Sequence, residues 1–251
     1  MASAAEPVLL RGVAHSYAAV HALGPLDLEI AAGEFVALVG PSGCGKTTLL
    51  GLLAGFLTPS SGEVLVGGAP VRGPGPDRGV VFQQPNLYPW FTVRDNVALG
   101  PRLRGASKAE RLAIADRELE RVGLSDFASA RPYELSGGMQ QRAQIARVLA
   151  NDPGIMLLDE PFGALDALTR ERLQHQLHDV WRSASKTALF ITHSVEEAAF
   201  LGTRVLVMSP RPGRIVFDER PPFGPEDRTP ELRAAPEFVA FRERIRAAIT
   251  E

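Results

Sequence analysis

The chain has 251 residues, of which 45% are hydrophobic and 22% charged, a composition typical of a globular protein with a sizeable core. Its formal net charge of −2 excludes an overall electrostatic attraction to nucleic acid or to an anionic membrane surface. The single cysteine, Cys44, excludes an internal disulfide and favours a reducing compartment. Neither a secretory signal nor 18 consecutive apolar residues occur, so we expect no leader peptide and no membrane span.

The first forty residues predict short strands over residues 8–17 and 26–39, with breaks at Gly24-Pro25 and at Gly33-Glu34. The strand at 35–39 leads into a glycine-rich run, and a helix is predicted directly after it. The run reads Gly40-Pro41-Ser42-Gly43-Cys44-Gly45-Lys46-Thr47-Thr48. It fits the pattern G-x-x-x-x-G-K-[ST] in the strand–loop–helix setting in which that pattern binds phosphate.

Residues 40–48, the phosphate loop below, therefore predict a site for a nucleoside triphosphate. The glycines let successive N–H groups converge on an anion at the start of a helix. We expect Lys46 to reach the β- and γ-phosphates and the Thr47 hydroxyl to bind Mg²⁺. Cys44 is expected to be a small side chain beside the phosphates, with a reactive thiol as the alternative.

Beyond this loop, strands are predicted at 63–66 and 79–82, and the chain is then helical over residues 92–150. In that block Ser107-x-x-Glu110 is a capping box for a helix that ends near Gly123. Strands return at 155–158, 188–192, 204–208 and 214–217, with helices at 167–183 and 237–249. Strand–helix alternation around an inserted helical block predicts an α/β fold with a mostly parallel sheet.

The apolar strand at 155–158 ends in two carboxylates, Asp159 and Glu160. Successive side chains of a strand point in opposite directions, so the two acids cannot share one role. Together with the phosphate loop, the pair predicts that Asp159 binds Mg²⁺. Glu160 would orient or deprotonate a water beside the γ-phosphate.

A second glycine-rich segment, Leu135-Ser136-Gly137-Gly138-Met139-Gln140-Gln141-Arg142, resembles the signature of the ABC (ATP-binding cassette) ATPases. Physically it is a second anion site, since Ser136 can cap a helix whose first N–H groups the glycines leave accessible. The resemblance implies that Ser136 and Gly138 engage ATP held by the phosphate loop of a second copy. Met139, where many members have glutamine, lies past the glycines, so we expect no loss of phosphate contact.

Other segments resemble further motifs of that family, in the same order along the chain. Tyr17 is similar to the aromatic residue on which adenine stacks. Gln83 resembles the loop glutamine that touches Mg²⁺ or water, and Ala164-Leu165-Asp166 the loop that couples two sites across a dimer. His193 resembles the switch histidine that bonds the γ-phosphate, and Ser194, where the family often has aspartate, opens a predicted capping box with Glu197.

The resemblance implies a P-loop NTPase cassette with a RecA-like core, an antiparallel β subdomain and a helical subdomain at about 86–150. It assigns residues 1–220 to the ATP-binding domain and 221–251 to a tail with one helix. The stretches 73–84, 87–90, 159–166 and 235–238 resemble ATPase subunits of nitrate, sulfonate and taurine importers, with taurine as the leading solute. Such a subunit would hydrolyse ATP with Mg²⁺, as a homodimer, on the cytoplasmic face of the bacterial inner membrane. Its partners would be membrane permease subunits and, indirectly, a substrate-binding protein, with no nucleic acid.

Other interpretations remain open from the sequence. A soluble ABC ATPase acting on DNA or the ribosome, an ABC exporter ATPase and a P-loop kinase or GTPase share parts of the pattern. The resemblance implies that the region of Trp90 and Phe91 receives a short helix of the permease, and exposed aromatic residues suit a binding groove. His175 and His178, with Glu171, have metal-ligand spacing on a helix, but a solvated polar face is the favoured interpretation.

Overall fold

The computed structural model describes residues 4–163, 165–184 and 186–250. The strands within these ranges are β1 Val8–Tyr17, β2 Val20–Ile30, β3 Phe35–Val39, β4 Ser61–Val66, β5 Ala69–Pro70, β6 Arg78–Val81, β7 Ile155–Asp159, β8 Thr187–Ile191, β9 Arg204–Met208 and β10 Ile215–Glu219. The α-helices are α1 Lys46–Ala54, α2 Val93–Leu103, α3 Lys108–Arg121, α4 Gly137–Leu149, α5 Ala167–Ala184, α6 Val195–Leu201 and α7 Pro236–Thr250. None of the helices so described is long and apolar enough to cross a membrane.

The central sheet has six strands in the order β10-β9-β3-β8-β7-β6. Its strands pair in parallel except for β10, which pairs with β9 in antiparallel fashion at one edge. Alternate residues of β3 enter different cores: Phe35, Ala37 and Val39 pack with the large helical cluster, while Val36 and Leu38 pack on the side of α1. Because both faces are covered, the strand is apolar throughout, as expected for a parallel sheet. The predicted α/β fold class is confirmed.

A second, antiparallel sheet has the order β2-β1-β4-β5. The predicted break at Gly24-Pro25 is wrong, because β2 continues through both residues. Its pairing with β1 shifts there: Val13 is opposite Leu26 and His15 is opposite Leu23, so β2 carries one extra residue. Such a bulge accepts a proline, which cannot donate to the ladder.

The inserted helical block contains α2, α3 and α4. The capping box of α3 is confirmed: Ser107 Oγ accepts from the Glu110 N–H, and the Glu110 carboxylate accepts from the Ser107 N–H. Gly123, just beyond this helix, has φ +66°, a conformation that glycine adopts without strain. Leu119 of α3 and Val97 of α2 are buried in the core that the helices share with the central sheet. The block is therefore packed on the sheet.

The C-terminal helix α7 packs along the end of the central core. Phe238, Phe241 and Ile245 are all fully buried, which confirms the predicted packing face. The buried Arg228 side chain precedes this helix and donates to the carbonyl oxygens of Ala199, Phe200 and Gly202, at the end of α6.

Candidate functional site

The fold gathers the candidate residues at one edge of the central sheet. The phosphate loop follows β3, Asp159 ends β7, and His193 comes two residues after β8. The strands β3, β8 and β7 are consecutive parallel neighbours. Their carboxyl ends therefore open on the same side, which is where open α/β sheets bind their ligands.

The phosphate loop has the backbone that a phosphate cradle requires. Gly43 and Gly45 have φ values of +77° and +107°, and a Cβ at Gly45 would lie 2.6 Å from Leu23 Cδ2. Neither position accepts a larger residue without strain. The Lys46 ammonium is buried and donates to the carbonyl oxygens of Gly40 (2.8 Å) and Pro41 (3.0 Å). Its charge is thereby held beside the loop.

Two oxygen donors meet beside the first turn of α1. The Thr47 hydroxyl donates to Asp159 Oδ2 across 3.2 Å. Burial raises the pKa of the Asp159 carboxyl, and the nearby Glu160 carboxylate raises it further. A hydroxyl and a carboxylate are ligands that Mg²⁺ accepts, and in nucleotide sites the remaining positions go to phosphate and water. The pair is therefore a partial ligand set, which fits a cation that arrives with a polyphosphate. Within the described ranges no group of three or more His, Cys, Asp or Glu residues could hold a metal ion.

Glu160 lies at the centre of a three-residue cluster. Gln83 Nε2 donates to Glu160 Oε2 at 3.0 Å, and His193 Nδ1 lies 3.2 Å from the same oxygen. The Glu160 backbone has φ +45° and its N–H donates to the Ile191 carbonyl oxygen of β8 at 2.9 Å. A left-handed backbone in a residue other than glycine is strained, and such residues concentrate at functional sites.

These residues line a cleft of ≈ 580 Å³. Tyr17 stands at one side of it, with its hydroxyl 3.4 Å from Thr48 Oγ1 and its ring edge-on to His15 at 4.7 Å. The tyrosine is 48% exposed, so a face of its ring is available for stacking. The cleft is lined by Tyr17, Val20, Ala22, Gly40, Ser42, Gly43, Gly45, Lys46, Thr47, Thr48, Gln83, Glu160, His193 and Arg211.

The second glycine-rich segment lies elsewhere. Ser136 caps α4 by accepting from the Met139 N–H at 3.3 Å. Neither Ser136 nor Gly138 is among the described residues that line the cleft, and both Ser136 and Gly137 are exposed. A Cβ at Gly138 would lie 2.8 Å from Leu165 Cδ2. Asp166 caps α5 by accepting from the Thr169 N–H at 3.0 Å, whereas Ala164 lies outside the described residues.

Two predictions about individual side chains are wrong. Ser194 does cap α6 by accepting from the Glu197 N–H, but the Glu197 carboxylate accepts from the Thr192 hydroxyl at 2.6 Å. The Ser194 N–H instead donates to the Thr192 hydroxyl, so no reciprocal capping box forms. His178 is 5% exposed, so its helix face is not solvated there; burial lowers its pKa to about 4.

Sequence reasoning missed Val20, Ala22 and Arg211 in the lining of the cleft. Val20 and Ala22 belong to the start of β2, which was predicted to begin only at residue 26. Arg211 follows β9, the neighbour of β3 on the side away from β8. Its position just beyond a buried parallel strand was a signal for this edge of the sheet.

Comparison with known proteins places this geometry in a family. Residues 23–163 match the family described as ABC transporter. The chain is 51% identical over 229 residues to the taurine import ATP-binding protein TauB of Roseobacter denitrificans, covering 90% of this chain and 85% of the relative. It is 52% identical over 231 residues to an uncharacterized ABC transporter ATP-binding protein of Methanocaldococcus jannaschii, covering 90% and 83%.

A solved structure gives the same result for the fold. The dimeric post-hydrolysis state of the ATP-binding cassette MJ0796, bound to ADP and Pi, is similar with a TM-score of 0.77 and 36% identity, over 85% of this chain and 98% of that one. The chain belongs to the ABC transporter ATP-binding family. It is an ATP-binding cassette, and its enzymatic activity is ATP hydrolysis.

Proposed function

We propose that this protein is the ATP-hydrolysing subunit of an importer that takes up a small anion, with taurine as the leading candidate. The observation that supports the proposal is the cluster of Gln83, Glu160 and His193, because it lines the same cleft as the phosphate loop and contains a carboxylate that could act on a water beside a γ-phosphate. The relatives named for taurine import support the choice of solute. An uncharacterized relative is equally similar, so the solute rests on the names alone.

Each cleft residue has a distinct role in this proposal. Lys46 neutralises phosphate charge, the N–H groups of residues 40–48 hold the phosphates, and Tyr17 stacks on adenine. Glu160 and Gln83 orient the attacking water, and Glu160 accepts its proton. His193 holds the γ-phosphate. Thr47 and Asp159 would hold Mg²⁺, which would neutralise negative charge on the phosphates. Catalysis then consists of positioning and charge stabilisation.

A second copy of the chain would complete each site. Ser136 and Gly138 lie at the start of α4, where the first N–H groups of a helix have no acceptor within the helix, and neither residue lines the cleft of its own chain. A polyphosphate held by the phosphate loop of one copy could accept hydrogen bonds from those N–H groups of the other copy. The dimeric form of the similar cassette bound to ADP and Pi supports this arrangement.

An aromatic surface near the end of β6 is the proposed contact with the permease. Trp90 is 65% exposed, Phe56 50% and Tyr88 39%. Tyr88 and Trp90 are in ring contact at 5.5 Å, and Phe56 stacks on Phe82, the residue before Gln83. Exposed aromatic residues are typical anchors of protein interfaces. This surface would hold the subunit at the cytoplasmic face of the inner membrane while the permease and its substrate-binding protein select the solute.

Deletion of the gene tests the proposal. We expect the deletion strain to lose growth on taurine as the sole sulfur source and to keep growth on sulfate. Wild-type protein should restore growth, and Glu160→Gln should not, although it is produced in equal amount. Uptake of labelled taurine gives the direct measurement. Undiminished taurine uptake in the deletion strain contradicts the solute, and full restoration by Glu160→Gln contradicts the hydrolytic role.

A further inference from the structure

The segment of residues 209–214 joins β9 to β10 and runs along the mouth of the cleft. It is fixed at both sides: the Gly213 N–H donates to the Ala22 carbonyl oxygen at 3.0 Å, and the Gly24 N–H donates to the Gly213 carbonyl oxygen at 3.1 Å. A Cβ at Gly213 would lie 2.1 Å from the carbonyl oxygen of Cys44, so the segment lies directly against the phosphate loop. The bulge at Gly24 in β2 thus serves to hold this segment in place.

Arg211 of that segment extends its guanidinium over the phosphate loop. Its Nε and one Nη both lie 3.3 Å from the Gly43 carbonyl oxygen. The residue is exposed and lines the same cleft as Lys46 and Tyr17. Arg214, three residues further on, instead lies against Gly24, with Nε 3.0 Å from the position of a Cβ there.

Within the described ranges, the positive charge of Arg211 has no ion-pair partner. Among the residues that the structure describes, no carboxylate forms an ion pair with it. A guanidinium has five N–H donors, and the contact with Gly43 occupies only two of them. An exposed cation with spare donors beside a phosphate cradle suits a polyphosphate, which accepts charge-assisted hydrogen bonds.

We propose that Arg211 is a nucleotide-binding residue, which adds a second positive charge to the ATP phosphates beside that of Lys46. This inference rests on the proposed function, because it takes the cleft to be the ATP site. It deepens that function by assigning part of the phosphate affinity to a residue outside the phosphate loop. The alternative is that Arg211 only braces the loop through the Gly43 carbonyl oxygen.

Three substitutions separate these roles. Arg211→Ala removes both the charge and the donors, Arg211→Gln keeps a donor for the Gly43 carbonyl oxygen without the charge, and Arg211→Lys keeps the charge. Arg214→Ala is the matched control, since it removes an exposed arginine of the same segment that does not line the cleft. MgATP affinity of the full chain is measured by calorimetric titration at about 50 and about 200 mM salt, with thermal melting as the check on folding.

We expect Arg211→Ala and Arg211→Gln to weaken MgATP binding about fivefold to tenfold. Arg211→Lys should stay within about threefold of wild type and Arg214→Ala should equal it, with all melting temperatures unchanged. The salt dependence of the affinity should be smaller in the two uncharged variants. Wild-type affinity in Arg211→Gln would overturn the inference in favour of the bracing role, and wild-type affinity in Arg211→Ala would overturn both roles. If the wild-type protein itself bound no MgATP, the proposed function would fail together with this inference.

Discussion

Glu160 has a strained backbone and lies in the proposed catalytic site. Its φ of +45° is unfavourable for any side chain, and that strain is on the order of 1–3 kcal/mol. The hydrogen bond from its N–H to the Ile191 carbonyl oxygen and the contacts with Gln83 and His193 hold it there. The carboxylate is consequently aimed into the cleft before any nucleotide arrives.

Glu160→Gln should separate the hydrolysis of ATP from its binding. The amide keeps the shape and can still contact Gln83, but it cannot accept the proton of water, so steady-state hydrolysis should fall at least about 100-fold. MgATP affinity should remain within about threefold of wild type, because phosphate is held by other groups. Phosphate release and nucleotide titration measure the two quantities. Near-normal turnover in this variant would remove Glu160 from its proposed role.

The sequence predicted where the residues of contiguous motifs lie in the site. It did not predict contacts between residues that are far apart along the chain. Lys46 and Thr47 lie where the phosphate-loop pattern placed them, because a glycine-rich loop between strand and helix has one workable backbone. Arg211 was missed because its neighbour Gly43 is far along the chain. The Ser194 capping box failed because the Thr192 hydroxyl, held by the sheet, competes for Glu197.

Helix α4 connects two parts of the proposed mechanism, the residue that would contact the partner's nucleotide and the aromatic surface that would contact the permease. Its N-terminus presents Ser136, and further along Gln141 and Gln144 both donate to the Phe82 carbonyl oxygen, at 3.2 and 2.8 Å. Arg147 of the same helix packs over the Tyr88 ring, 5.7 Å from its centroid. Helix α4 is thus in direct contact with the segment that carries the exposed aromatic residues.

The tail is a second case of one element held by another. Arg228 is 5% exposed, and its guanidinium donates to carbonyl oxygens at the end of α6. Burial lowers its pKa to about 10, so it stays charged at neutral pH. The sequence predicted the apolar face of α7 from helical spacing, but a long-range contact of this kind has no periodicity by which to find it.

We expect Arg228→Ala to destabilise the protein by about 2–4 kcal/mol, because buried carbonyl oxygens lose their donors. For a chain of this length the melting temperature should fall by on the order of 5–10 °C. The melting temperature of Arg228→Lys, which keeps one cationic donor group, should lie between those of the wild type and Arg228→Ala. Calorimetry of the nucleotide-free proteins measures the melting temperatures. An unchanged melting temperature for Arg228→Ala would show that the apolar face of α7, with Phe238 and Phe241, holds the tail without Arg228.

The chain carries two glycine-rich helix starts, of which one lies at the cleft and the other does not. Lys46 begins α1 at the cleft, while Ser136 caps α4 outside it. The phosphate loop follows β3 near the centre of the sheet, whereas Ser136 belongs to the helical block. In the proposed head-to-tail pair of chains, the start of α4 of one copy would meet the nucleotide at the phosphate loop of the other.

Ser136→Glu tests the proposed head-to-tail pairing of two chains directly. MgATP affinity and ATP hydrolysis are measured on the same preparation. A carboxylate at the start of α4 should repel the partner's nucleotide and lower hydrolysis at least about 100-fold, while MgATP affinity of the separate chain stays within about twofold. Ser107→Glu is the control, since Ser107 caps α3 in the same helical block. Loss of MgATP binding by the Ser136→Glu chain, or hydrolysis at the wild-type rate, would contradict the account.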